Sequence, residues 1–431
     1  MTSYRTVRGM RDFLPADLAK RRFVEEKVRE CFNFYGYDEV ETPILESFDL
    51  ISAKAGDEIR HRMYAFKDLG GRMIALRPEI TPSIARVVAN KLRTEVKPLK
   101  LGYIANCFRY DNPQMGRYRE FWQAGFELFG ANHPVADAEV LAVNNALMRR
   151  LGFTDFSIKI GHVAVLRQFF TDEGVAEADQ NRLMELMDKR EQTKAYHLLS
   201  DLKVSDDCQT TMKELFKLRG TDWKNLLEKG RQLLHQNEGA LAALDNLEAI
   251  ICFTRSLGVK TEFFLDLGFA RGLEYYTGMI FEVFVPGLRI ALGGGGRYDR
   301  LVELFGGEPL PAVGCSPGID RIALALEKKG LFPEKLTHVE KVLVVSIQKK
   351  LLPKALELAS DLRKQGVAAH NEVTGRSVGS ALSYADKKNY RYAVLVGSTE
   401  LERQCVILRD MKAKTQREIP ITNLFNEITF R

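Results

Sequence analysis

Between Pro15 and Tyr35 apolar residues recur at helical spacing, Leu18, Phe23, Val24, Val28, Cys31 and Phe32, with charges between them, which predicts a long amphipathic helix. Gly36 ends it, and residues 38–42 begin an extended segment that meets Pro43, whose ring holds the preceding residue in extended geometry. From residue 74 to 129 the pattern reads strand, helix, strand, turn, strand. Thr81-Pro82 opens the helix over residues 83–92, because proline suits a first helical turn. Residues 100–110 and 120–129 are aromatic-rich extended runs bridged by the polar loop 111–119, an antiparallel hairpin with a long loop. Residues 136–151 form a further helix and residues 155–160 a short alternating strand.

The texture changes near His162. Residues 163–257 are almost all helix-forming, rich in Leu, Glu, Lys and Gln, and read as a helical insertion. Glycine-rich strand segments return at 261–284 and 289–292, followed by a helix over 318–329 and a connector, 330–340, that carries Pro333. Beyond it, continuous apolar runs at 342–347 and 392–397 flank a helix at 352–365, which predicts a small α/β domain with a mostly parallel sheet. The chain therefore divides at 1–162, 163–257, 258–329, 330–340 and 341–431. Its class is α/β, with an antiparallel sheet of six or seven strands expected in the first part.

Composition narrows this only a little. A chain of 431 residues, 45% hydrophobic and 28% charged, is globular and too long for one core. A net charge of +6 permits a nucleic-acid partner without implying one. The six cysteines and seven histidines are scattered, with no C-x-x-C, H-x-x-x-H or H-E-x-x-H, so neither a disulfide framework nor a metal knuckle is expected. No apolar run approaches the ~20 residues of a membrane span, and residues 1–14 lack the apolar stretch of a signal peptide. A cytoplasmic protein without a membrane partner is expected.

Chemistry concentrates in two clusters. Residues 271–278 put Arg271, Glu274, Tyr275 and Tyr276 within six positions, and residues 291–299 follow with four consecutive glycines, Gly293 to Gly296. The glycines fit either close approach by a ligand or a loose turn, and the tyrosines could equally be strand residues packing a sheet. In the hairpin, Arg109, Arg117 and Arg119 surround Phe121, while Phe121, Gln123, Gly125 and Glu127 share a face by alternation. Guanidinium forks suit the oxygens of a polyphosphate and a phenyl face suits a base; a solvated basic hairpin over a core Phe would carry the same residues. There is no G-x-x-x-x-G-K-[ST], and no G-x-G-x-x-G between strand and helix, so any nucleotide must be held by arginines on an antiparallel sheet.

Taken in order, these segments resemble the class II aminoacyl-tRNA synthetases, and within them the histidyl-tRNA synthetase family. The stretch ending at Pro43 resembles the dimer-forming first motif. Phe108-Arg-Tyr with Arg117-Tyr-Arg-Glu-Phe121 resembles the second, and Gly314-Cys-Ser-Pro-Gly-Ile-Asp-Arg321 the third. Residues 271–276 and 293–299 resemble two histidine-specific motifs, and Arg77-Pro-Glu-Ile-Thr81 a further amino-acid-binding element.

The resemblance implies ATP, L-histidine and tRNA(His) as substrates, a homodimer, and Mg²⁺ carried mainly on the ATP phosphates. It implies catalytic cations at Arg109 and Arg271, an ATP site of Arg109, Arg117, Phe121 and Arg321, and a histidine site of Glu79, Thr81, Gln123, Glu127, Arg271, Tyr275 and Tyr276. Glu79 would take the α-ammonium, and Glu127 and Tyr276 the two imidazole nitrogens. Residues 341–431 resemble an anticodon-binding domain, with Arg376, Lys387, Lys388 and Arg391 as its basic face, and the helical insertion would clamp the acceptor arm. Tyr110-Asp-Asn-Pro113, Glu274 and Arg300 depart from the commoner pattern without removing a catalytic group. The alternative is a non-catalytic, synthetase-like regulatory subunit that binds histidine. Such relatives lack the anticodon part and lose arginines, whereas Arg109, Arg271, Arg321 and residues 341–431 are all here.

Overall fold

The computed structural model describes residues 4–428 apart from 54, 190, 272, 335 and 337–339. They fall into two compact units that divide at residues 336 and 337. In the first, the helix Pro15–Tyr35 buries Ala19, Val24, Val28, Cys31 and Phe32 on one stripe and ends at Gly36, whose φ of 69° is a left-handed cap that returns its N–H to Phe32.

The strands of this unit are β1 (Asp38–Glu39), β2 (Leu45–Ser47), β3 (Ala65–Lys67), β4 (Met73–Leu76), β5 (Leu99–Phe108), β6 (Glu120–Phe129), β7 (Ser157–His162), β8 (Arg219–Gly220), β9 (Glu262–Asp266), β10 (Met279–Phe284), β11 (Gly293–Arg297) and β12 (Ala312–Pro317). Nine of them form one sheet, ordered β1-β5-β6-β12-β11-β10-β7-β9-β8, with β2, β4 and β3 in a small separate sheet. The large sheet is antiparallel except where β1 meets β5 and β7 meets β9. It exceeds the six or seven strands expected; β1 falls in the extended segment read at 38–42, whereas the two-residue β8 carries no alternation to read.

The main correction concerns the glycines. The strand expected at 289–292 lies one step later, and Gly293 to Gly296 are β11 itself, paired on both sides to β10 and β12. Propensity argues against glycine in a central strand; close packing overrides it, because a Cβ on Gly295 would lie 2.0 Å from the Gly314 carbonyl.

Residues 163–257 form the helices Val163–Asp172, Glu177–Asp188, Gln192–Asp201, Asp206–Leu215, Trp223–Leu233 and Glu238–Ser256. The first and last of these pack together, and Glu238–Ser256 also lies on the helix Pro134–Arg150 and on β7, with their apolar residues in the same core as the sheet. Those two helices thus cap the large sheet, and residues 177–233 also share its core and supply its edge strand β8.

The second unit carries β13 (Lys341–Ser346), β14 (Ala368–Asn371), β15 (Tyr392–Val396), β16 (Cys405–Asp410) and β17 (Thr415–Pro420), ordered β14-β13-β15-β16-β17. Only β13 pairs in parallel, with β14 and β15; β15–β16 and β16–β17 are antiparallel, so the sheet is mixed rather than mostly parallel. Among the described residues no helix is long and apolar enough to cross a membrane.

Candidate active site

The site grows out of the β5–β6 hairpin. Arg109 follows the last residue of β5, Arg117 sits in the tip of the loop, and Phe121, Gln123 and Glu127 stand on β6. Residues 77–81 run beneath this hairpin into the helix Thr81–Asn90 and deliver Glu79 and Thr81. Arg77 anchors that run: its buried guanidinium donates to the Thr42 carbonyl at 2.7 Å and to the Asn106 carbonyl at 2.9 Å. Arg271, Tyr275 and Tyr276 come from the loop between β9 and β10, so the two tyrosines are not strand residues. Arg321 lies in the first turn of the helix Ile319–Lys329. All eleven residues line one cavity of about 350 Å³.

At one end of this cavity the carboxylates and phenols meet. Thr81 Oγ1 donates to Glu127 Oε1 at 2.8 Å, and the Tyr298 hydroxyl donates to Glu127 Oε2. Tyr275 donates to Glu79 Oε2 at 3.0 Å and its ring packs 4.9 Å from that of Tyr276. Glu79 Oε1 is buried without a hydrogen-bond partner, a condition that in a native protein calls for a ligand or other explanation. Burial pushes the Glu127 carboxyl up to about 7, with the charge of Glu79 adding to it and the Tyr298 and Thr81 hydroxyls opposing it. Glu79 is also raised by burial, held back mainly by the Arg109 cation. Gln123 accepts from the Cys107 thiol at 3.3 Å.

At the other end the cations gather. Arg109 donates to the Pro78 carbonyl at 2.8 Å, with its guanidinium 5.3 Å from the centre of the Phe121 ring. Arg321 donates to the Gly116 carbonyl at 3.3 Å and the Ala291 carbonyl at 2.9 Å, which clips the hairpin loop to the strand entering β11. Burial, then repulsion from Arg109 and Arg117, lowers Arg321 to about 10. Like charges gathered in a half-closed cavity favour a polyanion. Arg119, the third hairpin arginine, does not line the cavity; its guanidinium is stacked 3.7 Å from the Tyr110 ring centre.

Arg271 lies between the two ends. It donates to the Phe281 carbonyl at 3.3 Å, and burial, which would depress its pKa, is outweighed by Tyr276, Glu282 and Asp188. The glycine strand makes this possible, since a Cβ on Gly294 would stand 2.3 Å from Arg271 Nη1 and 2.6 Å from the Phe281 carbonyl. Gly294→Ala is therefore expected to displace Arg271 and cost ~1–3 kcal/mol by overpacking, read as a lower urea midpoint. An unchanged midpoint would mean that the strand shifts freely.

Among the cavity residues that escape motif reading are Tyr298, Glu282 and Asp188. Tyr298 lies inside the 291–299 stretch, where its neighbours draw the eye, and its contact with Glu127 is tertiary. Glu282 on β10 and Asp188 at the end of the helix Glu177–Asp188 have no spacing signal at all. Among the described residues no three His, Cys, Asp or Glu side chains converge as a metal cage.

In the second unit, Arg376 pairs with Glu372 at 2.9 Å, Arg391 pairs with Asp410, and Lys387 and Lys388 are exposed. His162 is buried against Asn246 and lowered to about 4 by burial, and His370 meets the Tyr390 hydroxyl at 2.9 Å.

The family model for histidyl-tRNA synthetases matches residues 9–322, and that for an anticodon binding domain matches residues 341–431. The histidine–tRNA ligase of Methanocaldococcus jannaschii is 40% identical over 419 residues, covering 97% of this chain and 98% of its own. Among solved structures, histidyl-tRNA synthetase from a Nostoc species matches with a TM-score of 0.78 at 26% identity over 99% of both chains. An ATP phosphoribosyltransferase regulatory subunit/histidyl-tRNA synthetase from Bacillus halodurans matches with a TM-score of 0.77 at 28% identity, over 92% of this chain and 99% of its own.

Proposed function

This chain belongs to the histidyl-tRNA synthetase family, and from that premise we propose how its cavity carries out the two half-reactions of a histidine–tRNA ligase. The single observation that supports these assignments best is the meeting of paired carboxylates and phenols with an arginine cluster inside one cavity. Glu79, with an oxygen left over after its bond to Tyr275, would take the α-ammonium of L-histidine. Glu127 would accept from one imidazole nitrogen and Tyr276 would donate to the other, because a neutral imidazole offers one donor and one acceptor. Thr81 and Tyr298 would hold the Glu127 carboxylate in place, with Gln123 and Tyr275 completing the wall.

ATP would enter with its adenine on Phe121 and its outer phosphates on Arg117 and Arg321. The histidine carboxylate oxygen attacks the α-phosphorus, the bond to the bridging oxygen breaks, and pyrophosphate leaves. Charge develops on the α-phosphate oxygens, where Arg109 and Arg271 would stabilise it from fixed positions. A hydroxyl of the 3′-terminal adenosine of tRNA(His) then attacks the activated carbonyl and AMP leaves. The arginines would meet the ATP phosphates directly and cannot ligate a metal, so Mg²⁺ would be carried mainly on those phosphates, with the Glu282 carboxylate as the kind of cavity oxygen suited to support it.

A homodimer is proposed through the small sheet, where Ile44, Leu45, Phe66, Leu69 and Met73 expose apolar surface around β2, β3 and β4. Residues 341–431 would read the anticodon through exposed Lys387 and Lys388 rather than through the paired Arg376 and Arg391. A cytoplasmic site of action goes with this role. The regulatory-subunit alternative is less supported: the 40%-identical ligase is matched over nearly its full length, and the catalytic arginines are retained.

The test is ATP–pyrophosphate exchange with each amino acid in turn, followed by charging of tRNA(His). Exchange with histidine alone, then charging, is the expected result. Histidine binding without exchange would favour the regulatory alternative.

A further inference from the structure

Residues 8–13 form a strap across the outside of the nucleotide end, and its contacts converge on a residue to which no role has been given. Asp320, whose side chain is only 8% exposed, accepts from Arg11 Nη2 at 2.5 Å through one oxygen and from the Trp122 backbone N–H at 2.6 Å through the other. The Arg11 guanidinium sits over Tyr118, 3.3 Å from the ring centre. Two residues earlier, the Gly9 carbonyl accepts the Arg119 N–H at 3.0 Å and the Arg8 carbonyl accepts from the Arg119 side chain at 3.4 Å. Gly9 has a φ of 85°, and a Cβ there would sit 2.6 Å from Arg119 Cγ, so glycine is what allows the strap and loop to lie together.

Each residue held this way is the sequence neighbour of a proposed ATP contact. Asp320 precedes Arg321, Trp122 follows Phe121, and Tyr118 follows Arg117. Arg11 itself does not line the main cavity. A loop with eleven residues between its flanking strands, Arg109 to Arg119, would otherwise lose conformational freedom on meeting ATP, and contacts that order it beforehand remove that cost from binding.

We infer that Asp320 is a positioning residue for ATP, and that Arg11 is the latch by which the N-terminal strap holds the hairpin loop and Arg321 in their nucleotide-binding arrangement. The inference rests on the proposed adenylation site, and it assigns the strap no contact with histidine.

The test uses the full-length chain with Arg11→Gln, Arg11→Lys and Asp320→Asn, the last keeping the acceptor for Trp122 while removing the charge. Arg11→Gln and Asp320→Asn are expected to raise KM for ATP in pyrophosphate exchange by about tenfold, as loss of a charge-assisted bond would. KM for histidine should stay within ~2-fold, and Arg11→Lys should recover part of the loss by keeping the charge. A Trp223→Phe background leaves Trp122 as the sole indole, whose fluorescence gives an ATP affinity independent of turnover. Equal rises in both KM values, or a lower Tm with unchanged ATP affinity, would overturn the latch. A wild type without exchange would instead sink the adenylation reading, while the fluorescence titration would still decide whether Arg11 and Asp320 govern ATP affinity.

Discussion

Arg271→Ala is expected to lower kcat for histidine-dependent pyrophosphate exchange by ~10³, with a much smaller rise in KM for ATP. The magnitude follows from removing a preorganised cation at developing charge, typically worth 10²–10³ or more in kcat. Arg271 is half-buried, held by the Phe281 carbonyl beside Gly294, and acts electrostatically on both Glu79 and Arg321. ATP would still find Arg109, Arg117 and Arg321, so affinity should suffer less than rate. Lysine should restore only part, because a point charge cannot reproduce a planar fork fixed to a backbone carbonyl. The measurement is single-turnover adenylate formation at saturating ATP. A loss smaller than about fivefold would reduce Arg271 to a structural tie between the loop and β10.

Glu127→Gln is expected to cut kcat/KM for histidine by ~10² or more and to flatten its pH dependence. With the carboxyl pushed up to about 7, the acceptor that the imidazole N–H needs is lost as pH falls through neutrality. Free histidine takes up a proton over the same range, near pH 6.5, so the wild-type profile should fall more steeply than one proton allows. Removing Glu127 should leave only the substrate's own titration; an unchanged profile would show that Glu127 does not face the ring.

Stability moves the other way. A carboxyl raised in the folded state favours folding when protonated, fully so below the unfolded pKa, and that contribution is lost as pH rises through about 7. The variant should therefore gain stability at pH 8, by at most roughly 3 kcal/mol, and gain little at pH 5. Thermal unfolding at the two pH values measures the difference.

What could be read in advance depended on whether a feature was local. The helix Pro15–Tyr35 and the β5–β6 hairpin announce themselves through spacing, alternation and turn residues, all of which act within a few positions. The long helical tract from residue 163 was equally visible, but not that its first and last helices pack on the sheet. The eleven proposed site residues, which line one cavity, were legible because each sits in a compact motif. Tyr298, Glu282 and Asp188 were not, because what brings them to the cavity is sheet pairing and a helix arriving from elsewhere in the chain. β11 was misplaced for a related reason: glycine's intrinsic preference is against strand, and only the crowding by Arg271, Gly314 and Met279 explains four in succession. Arg119 shows why a basic cluster alone leaves its members' roles open: its charge stacks on Tyr110 and binds the Asp111 and Arg8 carbonyls.

The arginine cluster also bears on which way the reaction runs. Arg117 and Arg321, by repelling one another, favour any polyphosphate, and pyrophosphate is as good a counter-ion for them as the tail of ATP. On the proposed assignment the product would be held by the cations that recruit the substrate, beside an adenylate that it can attack in return. Net flow toward the aminoacyl product then depends on draining pyrophosphate from solution, and stalled drainage should inhibit this protein competitively with ATP.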